Sequence, residues 1–158
     1  MLSREQFGVK ALIGNGEGEF LFLLRSEPLP GELTPGWDIP GGRVETDSET
    51  LVRENPIDAL RRETKEETGL ELSGPFWVAG TQTFEIEEAW LIVHRTYFET
   101  SCPPNPRITL NPKEHIENRW TTIHHASDNL QLNPMLRDYL LARSRGVGRI
   151  PTGSQITL

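Results

Sequence analysis

The segment Arg62-Glu63-Thr64-Lys65-Glu66-Glu67-Thr68-Gly69-Leu70 decides how this chain is to be read. At 100° per residue Glu63 and Glu67 lie one helical turn apart and Glu66 adjoins both, so three carboxylates project from one side of a helix within about 100° of arc. Their mutual repulsion is costly unless cations sit beside them. Oxygen clusters of this kind suit Mg²⁺ or Mn²⁺, hard ions that take a few carboxylates and fill the remaining positions with water and phosphate oxygens. Three glutamates alone equally describe a solvated helix face paired with Arg61, Arg62 and Lys65, the commoner state of such residues.

Working outward, Asn55-Pro56 has the form of a helix start, with Asn55 as N-cap, Pro56 at the first position and Asp58 at the third. The predicted helix runs to about Thr68 and stops at Gly69, which suits the left-handed closing residue. Ile57, Leu60 and Thr64 fall within about 60° of one another and give it a narrow core-facing stripe. Upstream, Phe7 to Ile13 and Phe20 to Leu24 read as two strands of a hairpin joined through Gly14-Asn15-Gly16-Glu17-Gly18. Ser26 to Gly36 is a proline-rich loop. Trp37 to Ile39 leads into Pro40-Gly41-Gly42, where a tight turn or bulge is expected. Downstream, Trp77 to Phe84 and Ala89 to Phe98 are rich in β-branched and aromatic residues and read as strands. A prolyl loop follows, with a short strand expected at Arg107 to Leu110 and another at Arg119 to Ile123. A last helix over Met135 to Ser144 buries Leu136, Leu140 and Leu141. Residues 1–145 are expected to form one domain, and 146–158 a tail that is disordered unless a neighbour holds it.

Composition narrows the classes. The 158 residues are 35% hydrophobic and 25% charged, a normal balance for one compact domain, and no apolar run approaches the roughly 18 residues that span a bilayer. The first residues, MLSREQFGVK, carry charge where a secretory signal needs an apolar core, so the expected compartment is the cytoplasm. Cys102 is the only cysteine, which excludes an intrachain disulfide and a multi-cysteine zinc site. A net charge of -7 argues against sequence-independent nucleic-acid binding. It leaves room for a small phosphorylated ligand whose charge metal ions offset.

The acidic segment, with Gly41-Gly42 upstream and Glu54 eight residues before Arg62, resembles the signature of the Nudix hydrolases. That pattern reads Gly, five residues, Glu, seven residues, Arg-Glu, aliphatic, any, Glu-Glu, any, Gly, aliphatic. From Glu54 onward the spacing matches, with Thr64 where an aliphatic residue is usual. Trp37-Asp38-Ile39-Pro40-Gly41-Gly42-Arg43-Val44-Glu45 is similar to the family's approach to its box. Between Gly42 and Glu54, however, stand eleven residues in place of five, an insertion of six.

The resemblance implies an α/β/α sandwich around a mixed sheet, an α+β arrangement, and hydrolysis of a diphosphate linkage in a small nucleotide-like substrate with Mg²⁺ or Mn²⁺. It implies Glu63, Glu66, Glu67 and the carbonyl of Gly42 as metal ligands, with Arg62 holding the glutamates by charge-assisted hydrogen bonds. Glu54 would tie the loop to the helix. Glu114 and His115 resemble a second family element, where a carboxylate or histidine accepts the proton of the attacking water or binds another metal; a plain surface loop is an equal alternative. Arg25, Trp37 and Phe84 are candidate substrate contacts. Trp37, Phe84, Trp90 and Phe98 are of a kind that can stack on a base, although strand aromatics are more often core. His94, His124 and His125 read as structural or surface residues.

The family's proline about fifteen residues past the box, associated with ADP-ribose, is missing, since Phe84-Glu85-Ile86-Glu87 stands there. The patterns associated with coenzyme A and NADH are also missing, which leaves a nucleoside triphosphate or nucleotide sugar by elimination. A silent nucleotide sensor, with the insertion blocking the site, and an acidic protein-interaction domain are the competing readings. The resemblance also admits a homodimer.

Overall fold

The computed structural model describes residues 4–145 and the backbone of 155–156. The rest of the expected tail lies outside the described residues. In chain order the elements are β1 (Arg4–Gly14), β2 (Phe20–Arg25), β3 (Trp37–Asp38), β4 (Gly41–Arg43), α1 (Pro56–Thr68), β5 (Phe76–Ile86), β6 (Leu91–Ser101), β7 (His115–Thr121), α2 (Ile123–Asn129), α3 (Pro134–Ser144) and β8 (Gln155–Ile156).

The strands form one mixed sheet in the order β3-β2-β1-β6-β5-β8, with β4 added to β1 and β7 to β2. Strand β1 runs parallel to β6 along its whole length, and its other edge is shared by β4 and the start of β2. The expected β1–β2 hairpin therefore closes at Gly14 opposite Phe20, and the two strands then part to serve different partners.

Alternation along β1 and β2 splits the core into two layers. Val9, Ala11, Ile13, Leu21 and Leu23 pack against Ile57, Ala59 and Leu60 of α1. Leu12 and Phe22 point to the opposite face and meet Trp37, Ile39, Ala126, Leu136 and Leu140. One helix thus covers one face and two shorter helices the other, the sandwich that the sequence led us to expect. Tyr97 of β6 stacks on Tyr139 of α3 with ring centroids 3.8 Å apart and helps seat that helix. Among the described residues no helix is long and apolar enough to cross a membrane.

Helix α1 has the caps its sequence calls for. The Asn55 side chain accepts the Ile57 N–H, and Gly69, at φ 76°, closes the helix with its N–H on the Lys65 carbonyl.

Three local expectations are corrected. Residues 107–110 form no strand: the Thr109 N–H goes instead to the Thr68 carbonyl, and Ile108 and Leu110 pack on the α1 side of the core. The strand expected at Arg119 to Ile123 begins earlier, at His115, and ends at Thr121. There the Thr122 side chain accepts the His125 N–H and starts α2, which the sequence reading missed. On α3, Leu141 is 39% exposed while Tyr139 is buried, because the face that meets the sheet is Leu136, Tyr139 and Leu140 and Leu141 lies a further 100° around the helix.

Candidate active site

The site assembles where the C-terminal half of α1 meets β4. Strand β4 hydrogen-bonds to β1 at Gly8 to Lys10, so close to it that a Cβ on Gly41 would stand 2.1 Å from the Val9 carbonyl oxygen. At Gly42 a Cβ would fall 2.3 Å from Cδ of Glu63, so the carboxylate lies directly over bare backbone. The two glycines thus give the helix and the strand a contact that any side chain would prevent.

Arg62 joins the loop to the carboxylates. Its Nε and one terminal nitrogen fork onto Glu54 at 3.0 and 2.9 Å, the same terminal nitrogen reaches the Arg43 carbonyl at 3.0 Å, and the other donates to Glu63 at 2.9 Å. Glu66 lies 3.7 Å from that last nitrogen and Glu45 3.6 Å. The fork holds the Glu54 carboxyl below the usual range. For Glu63, burial outweighs the Arg62 hydrogen bond and raises the carboxyl. Glu66 is the open member of the trio, with over half of its side chain exposed.

Glu67 is the buried member. Only 6% of it is exposed, and one oxygen accepts the Gly41 N–H at 2.8 Å. Burial pushes its carboxyl up to about 8, although the Lys10 charge and the Gly41 hydrogen bond pull the other way. Its second oxygen lies 3.5 Å from Nδ1 of His115, a buried nitrogen with no hydrogen-bond partner among the described residues. Burial, with smaller help from Lys10 and Arg25, lowers His115 to about 4 and keeps the ring neutral near pH 7. Glu114 is exposed on the preceding turn, and one donor atom from each of Glu67, Glu114 and His115 lies within 4.8 Å of the others. The structure therefore brings Glu63, Glu66, Glu67, Gly42, Arg62, Glu54, Glu114 and His115 into one neighbourhood.

These residues fit a divalent cation. The donors are hard oxygens with one imidazole nitrogen, and the orphaned His115 nitrogen and the high-lying Glu67 carboxyl are both groups that a positive ion would satisfy.

The candidate substrate contacts are more scattered. Arg25 pairs with Glu32 and stands 3.7 Å from Asp38, and its strand position is opposite His115. Trp37 is buried in the core, and the Arg119 guanidinium lies 4.7 Å from its ring. Phe84 is half-buried well along β5, 5.0 Å beneath the Arg95 guanidinium.

The sequence reading missed Lys10 and Asp38. Lys10 donates to the Asp38 carboxylate at 3.0 Å and to the Ile39 carbonyl at 3.3 Å. Burial alone would raise Asp38, but the charges of Lys10 and Arg95 prevail and hold it below the usual carboxylate range. A lysine in the middle of an otherwise apolar strand, Phe7 to Ile13, was the available signal.

Comparison with known proteins shows the family and the fold. The family profile described as NUDIX domain matches residues 4–142. Among solved structures, the MutT protein from Methanosarcina mazei Go1 is 31% identical and superposes with a TM-score of 0.74, covering 92% of this chain and 97% of that one. The E. coli ORF135 protein, at 24% identity and TM-score 0.69, covers 90% and 91%. A C. elegans Ap4A hydrolase, at 20% identity and TM-score 0.62, covers 90% and 96%, and like ORF135 it attests the fold alone. No curated protein sequence gives a significant match.

Proposed function

This chain belongs to the NUDIX domain family and is a Nudix hydrolase, and from that premise we propose that it splits the diphosphate linkage of a nucleoside triphosphate or nucleotide sugar with Mg²⁺ or Mn²⁺. The observation that carries the metal assignment is Glu67, a carboxyl in a nearly dry site beside an imidazole nitrogen that has no hydrogen-bond partner among the described residues. Burial pushes its carboxyl up to about 8, so at neutral pH an ion beside it is what would favour the charged form.

In this reading Glu63, Glu66, Glu67 and the Gly42 carbonyl would hold the metal. A bound divalent ion supplies neutralisation of the phosphate charge and activation of water. Arg62 keeps Glu63 and Glu66 aimed by sharing one guanidinium nitrogen between them. Water forms the new bond to one phosphorus, the bridging oxygen leaves with the other phosphoryl group, and two phosphorylated fragments result. Glu114, the solvent-reachable member of its trio, takes the proton of the attacking water. His115, buried and neutral, orients Glu67 or adds a ligand. Arg25 is assigned to the substrate's phosphates, and Phe84 with Arg95 to its organic part. Trp37, enclosed in the core, supports the site from beneath. Residues 1–145 act as one catalytic domain, and every residue used comes from one chain, so the reading requires no homodimer.

The six extra residues do not hold the glutamates apart from Gly42, which weighs against the silent sensor. The test is hydrolysis of nucleoside triphosphates, nucleotide sugars, dinucleoside polyphosphates and ADP-ribose with Mg²⁺ or Mn²⁺. Turnover is expected on one of the first two classes and is lost in Glu66→Gln and Glu67→Gln. Glu114→Gln is expected to lower kcat by about 10²- to 10⁴-fold, the usual worth of a general base. Nucleotide binding without turnover on any compound would overturn the catalytic assignment.

A further inference from the structure

The insertion between Gly42 and Glu54 is stored outside the layers as a small hairpin. Glu45 and Glu54 close it: the Glu54 N–H donates to the Glu45 carbonyl at 2.7 Å, and the Glu45 N–H donates to the Glu54 carboxylate at 3.2 Å. Thr46 and Arg53 pair across it, and the Asp47 N–H donates to the Val52 carbonyl at 2.9 Å. At its tip Leu51 and Val52 are 77% and 65% exposed, so the tip adds no apolar anchor to the core. An isolated hairpin this short is marginal in water. Yet it ends one residue before the carboxylate that forks Arg62, and any swing of the hairpin would carry Glu54 with it.

Arg53 is where the hairpin meets the sheet. Its guanidinium carbon lies 3.8 Å from the centroid of Phe7 on β1. Phe7 stacks in turn on His94 of β6 at 4.9 Å, and His94 is steadied by Thr83 at 3.2 Å and Glu5 at 3.1 Å. A continuous path thus runs from β5 and β6 through Phe7 to Arg53, across one peptide unit to Glu54, and through Arg62 to Glu63.

We propose that Arg53 is a positioning residue for the metal site: docked on Phe7, it ties the inserted hairpin to β1 and keeps Glu54 in place to orient Arg62 and, through it, Glu63. This rests on the metal-site reading given above. Arg53 touches neither substrate nor metal in this role, so its loss weakens metal binding only as far as Glu54 loses its grip.

Binding of Mn²⁺ followed by electron paramagnetic resonance, without substrate, tests it on the full chain. In Arg53→Ala the Kd for Mn²⁺ is expected to rise about two- to fivefold, the worth of one exposed cation–π contact passed on in full. Arg53→Lys, which keeps the cation, is expected to recover part of the loss. In a Glu54→Gln background the same Arg53→Ala change is expected to add nothing further, because the path it acts through is already cut. Wild-type affinity in Arg53→Ala, alongside a weakened Glu66→Gln, would overturn this role and leave the metal site standing. Multiplying effects of Arg53→Ala and Glu54→Gln would also overturn it. A wild-type chain that binds no Mn²⁺ would overturn the metal site itself and this role with it.

Discussion

Glu67 has one oxygen on the Gly41 N–H and the other near His115, with almost no water around either. Its carboxyl is raised by burial to about 8 from an ordinary 4.5, so between those values the folded state keeps a proton that the unfolded chain releases. The stability it contributes is therefore full below pH 4.5 and is lost as pH rises through about 8. His115 acts on the acid side: lowered by burial from 6.5 to about 4, it contributes stability present above 6.5 and lost as pH falls through about 4. The metal-free protein is thus expected to melt at a lower temperature at pH 8 than at pH 6. That drop should shrink in Glu67→Gln and on addition of Mn²⁺ to the wild type; thermal melts across the pH range check it. A Glu67→Gln variant that kept the full drop would place its origin elsewhere. The three glutamates and Arg62 were legible in the sequence because their spacing on one helix is a local property. Which glutamate would be buried was not, since that depends on β4 and His115 arriving from elsewhere in the chain. Lys10 and Asp38 escaped notice for the same reason, their contact joining residues 28 apart.

At the level of single elements, legibility followed the strength of the local signal. Helix α1 was readable to the residue, because Asn55-Pro56 and Gly69 fix both ends by backbone chemistry alone. Helix α2 was not: seven residues are too few to show a period, and a helix so short exists because Ala126 and Leu130 dock into the core. The strand expected at residues 107–110 fails from the opposite cause. Its residues suit a strand, but a strand needs a paired neighbour, and here the Thr109 N–H is taken by the Thr68 carbonyl at the end of α1. Helix α3 provides a clean comparison of neighbours, since Leu140 is fully buried and Leu141 is not. Leu140→Ala is expected to cost about 2–5 kcal/mol of stability, and Leu141→Ala no more than about 1 kcal/mol. Chemical denaturation of both variants measures this, and equal losses would contradict the assigned face.

For the whole molecule, the apolar runs of β1 and β2 and the one-sided stripe on α1 were legible in the sequence, and the structure uses both faces of those runs as core. The order of strands was not legible. A sequence shows that β1 and β2 are neighbours in the chain, but their separation to different partners depends on twist and on the later strands that compete for each edge. The parallel pairing of β1 with β6 joins residues 87 apart at every rung. During synthesis, at about 5–20 residues per second, the first strand therefore waits on the order of ten seconds for the strand that will cover its long edge. Through that interval the backbone N–H and C=O groups along that edge of β1 have no strand to pair with, a template for unwanted pairing. Refolding of the complete chain is expected to take milliseconds to seconds, slower than helical proteins of equal stability, as stopped-flow fluorescence of its tryptophans would show. Nascent chains halted before Leu91 should be the ones that chaperones hold.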